Sequence, residues 1–177
     1  MRYLAAMIVA FCTAVGARAY YQTSLASRDL GLPVANFKLS DMLDTFNAGR
    51  AGERRHEATD IVAPRGTPVL AVDDGTIVKL FRSVPGGRTI YQFDPTERFC
   101  YYYAHLDGYE GQIKEGLTVR RGQVIGYVGT TGNAPINSPH LHFGITEIGR
   151  DKKWWGGTPI DPYPLLRASA QKLGIKK

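Results

Sequence analysis

Short runs of apolar residues, or of alternating apolar and polar residues, occupy the chain from residue 68 to residue 147. The runs are rich in Val, Ile, Thr, Tyr and Phe, which favour strands, and turn-forming residues stand between them. No helical pattern separates consecutive runs as a crossover would, so we predict a mainly β fold of antiparallel sheets. The predicted strands cover residues 68–72, 76–81, 88–93, 99–105, 119–121, 123–128 and 140–147.

Short helices are predicted on both sides of this region. Ser40 can cap a helix over residues 41–47, whose apolar residues fit one helical face. A second helix is predicted over residues 162–168. Because a chain of 177 residues suits one compact domain, we predict a single folded domain over residues 49–168. Residues 20–48 are predicted to be a linker that contains the first helix.

The first nineteen residues have the pattern of a secretory signal. Arg2 gives a basic start, residues 3–17 are uncharged and mostly apolar, and Ala17-Arg18-Ala19 matches the usual cleavage site. The apolar run is shorter than the roughly 20 residues that span a bilayer. We therefore predict a signal peptide over residues 1–19 and no membrane span after cleavage; the alternative is an uncleaved anchor. The expected location is the periplasm or cell envelope, or the medium after secretion.

Composition and charge narrow the possible partners. The chain is 44% hydrophobic and 21% charged, which is typical of a globular protein. Its net charge is +6, and residues 169–177 form a basic tail. A basic surface suits a polyanionic partner such as a bacterial wall, whereas no basic stripe interleaved with aromatic residues supports nucleic-acid binding. Cleavage would leave Cys100 as the only cysteine, so no intrachain disulfide is expected. We expect a monomer.

All four histidines fall in three short clusters that indicate a metal site. They are His56, followed by Asp60 four residues later, then His105, and then His140 with His142. Residues two apart in a strand share a face, so His140 and His142 point to the same side, and an extended segment would also align His56 with Asp60. The same alternation predicts that Tyr101 and Tyr103 share the face of His105, and that Cys100, Tyr102 and Ala104 take the other.

Zinc chemistry accounts for this set of residues. A catalytic zinc usually has three protein ligands and an open position for water. Two imidazoles and one carboxylate would leave two histidines for proton transfer and for stabilising a developing oxyanion. The sequence therefore predicts one Zn²⁺ per chain.

The clusters, in this order over residues 54–143, resemble the lysostaphin-type (LytM-like) peptidoglycan zinc metallo-endopeptidases. His56 and Asp60 resemble the family's first zinc motif, His-x-x-x-Asp. Tyr103-Ala104-His105-Leu106 is similar to its second motif, and His140-Leu141-His142-Phe143 to its closing zinc motif. One position departs from the pattern, because Ala58 stands where the family usually has glycine.

The resemblance implies a fold and an activity. It implies a barrel-sandwich-like domain whose antiparallel sheets form a groove, with His56, Asp60 and His142 as zinc ligands and His105 and His140 as catalytic residues. The expected function is that of an exported zinc-dependent endopeptidase that hydrolyses peptide bonds in peptidoglycan stems or cross-bridges.

Several other residues have both a functional and a structural interpretation. Tyr103, Asn133 and Ser138 are candidates for substrate contact, although packing is favoured for Tyr103 and turn formation for the other two. Trp154 and Trp155 could stack on a sugar, although packing is favoured. Cys100 is expected to be buried and inert.

Two other functions compete with the enzyme. The chain could be a non-catalytic module that binds the wall and regulates another cell-wall hydrolase, and Ala58 favours this if the family's glycine is needed for a positive φ or for close packing. It could also be an adaptor of the lipoyl type, because residues 66–75 and residues 119–126 resemble the two half-motifs of that domain. The adaptor would leave the histidines unexplained, and no lysine stands in an obvious exposed turn.

Overall fold

The computed structural model of the protein describes residue 25, residues 28–49 and residues 55–175. The predicted signal peptide, residues 1–19, lies outside the described residues. Within them the chain forms ten strands and one α-helix, α1 (Pro162–Lys172). The strands are β1 (Met42–Leu43), β2 (Thr59–Val62), β3 (Pro68–Leu70), β4 (Gly75–Ser83), β5 (Gly87–Phe93), β6 (Phe99–Tyr109), β7 (Thr118–Val119), β8 (Val124–Val128), β9 (His140–Glu147) and β10 (Thr158–Ile160).

Every strand pairing is antiparallel, which confirms the predicted fold class. The main path through the sheet runs β1-β2-β9-β6-β5-β4-β7. Strand β8 pairs with β6 and with β3, and β10 pairs with β9. Thus β9 and β6, which carry three of the four histidines, lie side by side at the centre.

Alternation along β9 separates the core from the groove. Leu141, Phe143 and Ile145 are fully buried, whereas His140 and His142, at the intervening positions, are partly exposed. The buried residues pack with aromatic residues of β6; the ring centroids of Tyr103 and Phe143 are 5.3 Å apart. Burial of such large side chains contributes roughly 1.5–3 kcal/mol each, so the strands that carry the histidines are among the most firmly held.

The predicted helix over residues 41–47 is wrong. A 3₁₀ turn, Leu39–Asp41, leads directly into β1, which pairs with β2 through Met42 opposite Ile61. The hydroxyl of Ser40 bonds to the side chain of Asp41, so it does not cap a helix. Pairing with β2 satisfies the backbone and buries Met42, and this tertiary contact overrides the local helical pattern.

The segment before β1 is not a free linker. Leu30, Val34 and Phe37 are buried in the common core. Arg28 forms ion pairs with Asp73 at 3.1 Å and with Asp94 at 2.9 Å. The described part of the predicted linker is therefore integral to the domain.

At the other end, α1 is longer than predicted and includes residues 169–172, which were expected to belong to the tail. The side chain of Asp161 caps it by accepting a hydrogen bond from the backbone N–H of Tyr163. Leu166 and Ala170 are fully buried, so the apolar face continues through the last turn. None of the described helices is long and apolar enough to cross a membrane.

Candidate active site

Three adjacent strands bring the histidine clusters together. In the register between β2 and β9, Asp60 lies opposite His142. On the other side of β9, His142 lies opposite Ala104, the residue before His105. Paired residues on neighbouring strands point to the same face of a sheet. The strand register alone therefore places Asp60, His142 and Ala104 side by side on one face.

A β-bulge turns His105 toward this face. Between β5 and β6 the pairing passes from Ile90 opposite Tyr103 to Arg88 opposite Leu106, so β6 has one extra residue. His105 occupies that position with a φ of 62°, a left-handed conformation that is uncommon outside glycine. The bulge breaks the simple alternation, and the predicted assignment of faces on β6 is therefore wrong.

Tyr103 does not face the groove, so the prediction that it contacts substrate is wrong. Its side chain is 0% exposed. Its hydroxyl donates to Oε1 of Gln92 at 2.9 Å and accepts from the backbone N–H of Val72 at 3.0 Å. Tyr102 faces the groove instead, with its ring centroid 5.8 Å from that of His142.

Cys100 lies on the same face as Tyr102, contrary to the prediction that it faces away from the histidines. It borders the groove beneath Trp154. The prediction that it is buried is confirmed. Burial, reinforced by the charge of Asp94, raises the pKa of the thiol to about 12. The thiol therefore stays protonated and unreactive near neutral pH.

The three predicted zinc ligands converge on one point. One ligand atom from each of His56, Asp60 and His142 lies within 4.8 Å of the others. Oδ1 of Asp60 is 3.2 Å from Nε2 of His56 and 3.1 Å from Nδ1 of His142, and the two nitrogens are 2.9 Å apart. Two imidazole nitrogens and a carboxylate oxygen are the donor set of catalytic zinc sites, so these residues fit the metal.

The charge state of Asp60 also suits a cation. Burial would raise the pKa of its carboxyl group, but the close contacts of Asp60 with the imidazoles of His142 and His56 outweigh that effect and hold the pKa well below its ordinary value. The carboxylate is therefore ionised at any pH at which the protein would work.

Thr45, which lies just after β1, orients the ring of His56. Its Nδ1 lies 2.9 Å from Oγ1 of Thr45 and 3.2 Å from the carbonyl oxygen of Thr45. A carbonyl oxygen can only accept, so this contact favours the tautomer with the proton on Nδ1 and a lone pair on Nε2. Hydrogen bonds of this kind fix the tautomer and the ring orientation of a metal-binding histidine.

The remaining histidines, His105 and His140, lie beside this cluster with ring centroids 4.9 Å apart. Nδ1 of His105 is 2.8 Å from the carbonyl oxygen of Thr131, and Nδ1 of His140 is 2.8 Å from that of Ser138. Each Nδ1 is thus the donor, which leaves Nε2 of the neutral ring able to accept a proton. Burial, with smaller contributions from the neighbouring imidazoles, lowers the pKa of His105 to about 4.

The histidines line a groove made of three adjoining cavities, which share lining residues. The central cavity, about 180 Å³, shares His56 and His142 with an aromatic cavity of about 220 Å³. It shares His105 and Asn133 with a loop cavity of about 280 Å³. The loop cavity is also bordered by Leu43, Asp60, Val62, Ala134, Pro135, Ser138 and His140. Asn133 and Ser138 are thus placed where a groove-bound molecule could reach them.

The two tryptophans form part of the aromatic cavity but differ in environment. Trp154 packs on Tyr91, with ring centroids 4.7 Å apart, and on Phe81 at 5.4 Å. Trp155 is 55% exposed, with Nζ of Lys153 5.0 Å from its ring centroid. Packing therefore explains Trp154, as the sequence favoured, but not Trp155.

Sequence reasoning missed four residues of the groove or its support. Arg55 lines the central cavity, Glu57 lines the aromatic cavity, and Tyr102 borders both. The fourth is Thr45. Only Arg55 and Glu57 could have been predicted from the sequence, because they stand directly beside His56, a predicted metal ligand.

Ala58 causes no strain in this site. The positive φ near His56 belongs to Glu57, at 55°, and not to Ala58. Ala58 is 1% exposed and lies against Gly144 of β9, where an added Cβ would be 3.9 Å from the Ala58 Cβ. The facing glycine leaves room for the methyl group, so Ala58 no longer favours the non-catalytic alternative.

Comparison with known proteins gives a consistent result. Residues 54–162 match Peptidase family M23. The L-Ala–D-Glu endopeptidase of Bacillus subtilis (strain 168) is 38% identical over 125 residues, which cover 68% of this chain and 37% of that protein. The peptidoglycan DD-endopeptidase ShyC of Vibrio cholerae is 36% identical over 90 residues, covering 51% of this chain and 20% of that protein. The chain therefore spans only a minor part of the length of these relatives.

Solved structures agree with the fold. A structure described as a putative glycyl-glycine endopeptidase lytM from Ruminococcus gnavus superposes with a TM-score of 0.64 at 29% identity, covering 78% of this chain and 59% of that one. Lysostaphin from Staphylococcus simulans superposes with a TM-score of 0.61 at 30% identity, covering 76% of this chain and 50% of that one.

Proposed function

The chain belongs to peptidase family M23, and on this premise we propose that it is an exported, zinc-dependent endopeptidase that hydrolyses peptide bonds in peptidoglycan. One observation carries the proposal. A complete His-Asp-His cluster and two further histidines, each with Nδ1 bonded to a carbonyl, line one groove. A structural role for the histidines would not require five polar groups to converge on a solvent-accessible cleft.

His56, Asp60 and His142 would hold the metal. When bound, Zn²⁺ would supply Lewis acidity and lower the pKa of water in the groove toward ~7. Asp60 reduces the charge of the site while remaining ionised, because its contacts with the two neighbouring imidazoles hold its pKa low. Thr45 fixes the ring of His56 so that Nε2 faces the shared point.

His105 and His140 would transfer protons and stabilise the negative charge that develops on the substrate. Carbonyl oxygens hold both Nδ1–H groups, so both Nε2 atoms are directed away from the loop backbone. One Nε2 would accept a proton from the attacking water and pass it to the leaving amine, and the other, protonated from solvent, would donate a hydrogen bond to the oxyanion. The two rings are 4.9 Å apart, so both can reach one scissile peptide group.

The groove supports a peptide substrate, and the relatives support peptidoglycan as its source. Three adjoining cavities would allow an extended chain to lie across the histidines, with Asn133 and Ser138 in reach on one side. The named relatives act on different bonds, L-Ala–D-Glu in one case and a DD bond in another. The secretory pattern of residues 1–19 supports export to the envelope, where this substrate lies.

Digestion of purified peptidoglycan tests the proposal. The protein from Tyr20 onward and its His140→Ala variant would be incubated with wall material, and new amino termini would be identified by mass spectrometry. We expect new termini with the parent protein and at least a hundredfold fewer with the variant. Wall binding without new termini, by a folded and zinc-loaded protein, would contradict the proposal and favour a regulatory wall-binding module.

A further inference from the structure

Arg55 lies at the central cavity with no assigned role. It immediately precedes His56 and lines the same cavity as His56, His142 and His105. A β-bridge to Gly49 fixes its backbone, and its Nη1 donates to Oδ1 of Asn47 at 3.1 Å. That contact uses one of five guanidinium donors on a neutral amide. Among the residues that the structure describes, no carboxylate pairs with Arg55.

The distribution of charge along the groove makes this position distinctive. Asp60 borders the loop cavity and Glu57 borders the aromatic cavity, but no carboxylate of the described residues borders the central cavity between them. Within the described part of its lining, Arg55 is also the only charged side chain other than histidine. The middle of the groove is therefore complementary to an anion, while both flanking cavities carry a negative group.

We propose that Arg55 is a specificity residue that binds a carboxylate of the substrate peptide in the central cavity. This inference rests on the proposed function and narrows its substrate class. Stem peptides carry free carboxylates close to their scissile bonds, whereas the interior of a glycine bridge offers only amides. A guanidinium group recognises a carboxylate through two parallel hydrogen bonds, which lysine cannot reproduce. Arg55 thus selects stem peptides over glycine bridges.

A different role for Arg55, stabilising the oxyanion at the cleaved bond, makes a different prediction. An arginine that acts on the scissile carbonyl contributes equally to every substrate, whatever its charge. An arginine that binds a substrate carboxylate contributes only when that carboxylate is present. The charge of the substrate therefore separates the two roles.

The test combines variants of Arg55 with a paired set of substrates. Two synthetic cross-linked stem peptides would differ only in whether their carboxylates are free or amidated. For Arg55→Gln we expect kcat/KM to fall roughly tenfold or more on the free acid and less than about twofold on the amide. Arg55→Lys should recover only part of the loss. Arg120→Gln removes the same charge from an exposed position outside the groove and serves as the matched control.

A binding measurement keeps this inference separate from catalysis. Calorimetry would compare an uncleaved stem tetrapeptide with its carboxamide form, using zinc-loaded parent and Arg55→Gln proteins. We expect weaker binding of the acid by the variant and unchanged binding of the amide. If the parent protein cleaves no wall peptide, the proposed function fails while this comparison still tests Arg55. Equal losses on acid and amide, or none on either, would overturn the inference.

Discussion

Replacing Thr45 with valine tests how the structure orients His56. The substitution keeps the β-branched shape of the side chain and removes only the hydroxyl, which lies 2.9 Å from Nδ1. The carbonyl oxygen of residue 45 stays at 3.2 Å, so one acceptor remains. Loss of a partner that orients a metal-binding histidine typically costs 10–100-fold in metal affinity. Because one of two contacts survives, we expect about a tenfold loss, equivalent to about 1.4 kcal/mol.

Zinc affinity would be measured by competition with a chromogenic chelator, which requires no catalytic activity. Thr118→Val is the matched control, since Thr118 is exposed on the edge strand β7, outside the cavities of the groove. Thermal unfolding of the metal-free variants would show whether the fold is kept. Affinity within twofold of the parent protein, or a loss that is equally large in the control, would refute the role assigned to Thr45.

Three further predictions concern the fold around the site. Tyr103→Phe should lower the free energy of unfolding by roughly 1–3 kcal/mol, because the N–H of Val72 loses its acceptor. It should leave kcat/KM unchanged, since Tyr103 does not border the groove. Reduced activity in a stably folded variant would contradict this placement. Burial would raise the pKa of Asp94, but hydrogen bonds from Thr96 and three backbone N–H groups hold it below the ordinary value. Ionised Asp94 therefore contributes its full share of the free energy of unfolding at pH values above the unfolded-state pKa of about 4. This contribution is lost as the pH falls through the pKa of the folded state. Denaturation of Asp94→Asn should show a deficit of about 2 kcal/mol at pH 7 that shrinks below pH ~4, and a deficit independent of pH would contradict this. Deleting residues 20–48 should destabilise the domain by several kcal/mol, since buried Leu30 and Phe37 are lost. A truncated protein as stable as the full chain would contradict this.

The sequence predicted what depends on local pattern and residue identity. Strands such as β9 alternate buried Leu141 and Phe143 with partly exposed His140 and His142, and this period of two is visible in the order of the residues alone. The metal cluster was predictable because all four histidines fall in motifs and none is left for another role. Neither inference needed knowledge of distant contacts.

The predictions that proved wrong concern features that depend on tertiary contacts, which the local sequence pattern does not reveal. The extra residue in β6 at His105 reverses the expected faces, so Tyr102 and not Tyr103 borders the groove. Strand β1 forms because Met42 pairs with Ile61, although its own sequence favours a helix. The role of Thr45 likewise depends on a fold that brings it to His56, eleven residues away.

Metal dependence is the central claim and can be measured directly. Metal-free protein would be titrated with Zn²⁺ while cleavage of peptidoglycan is followed through the release of new amino termini. We predict no cleavage without metal, a rise that ends at one equivalent of zinc, and no rise in Asp60→Ala at the same zinc concentrations. Full cleavage by the metal-free protein, or an undiminished rise in Asp60→Ala, would contradict the account.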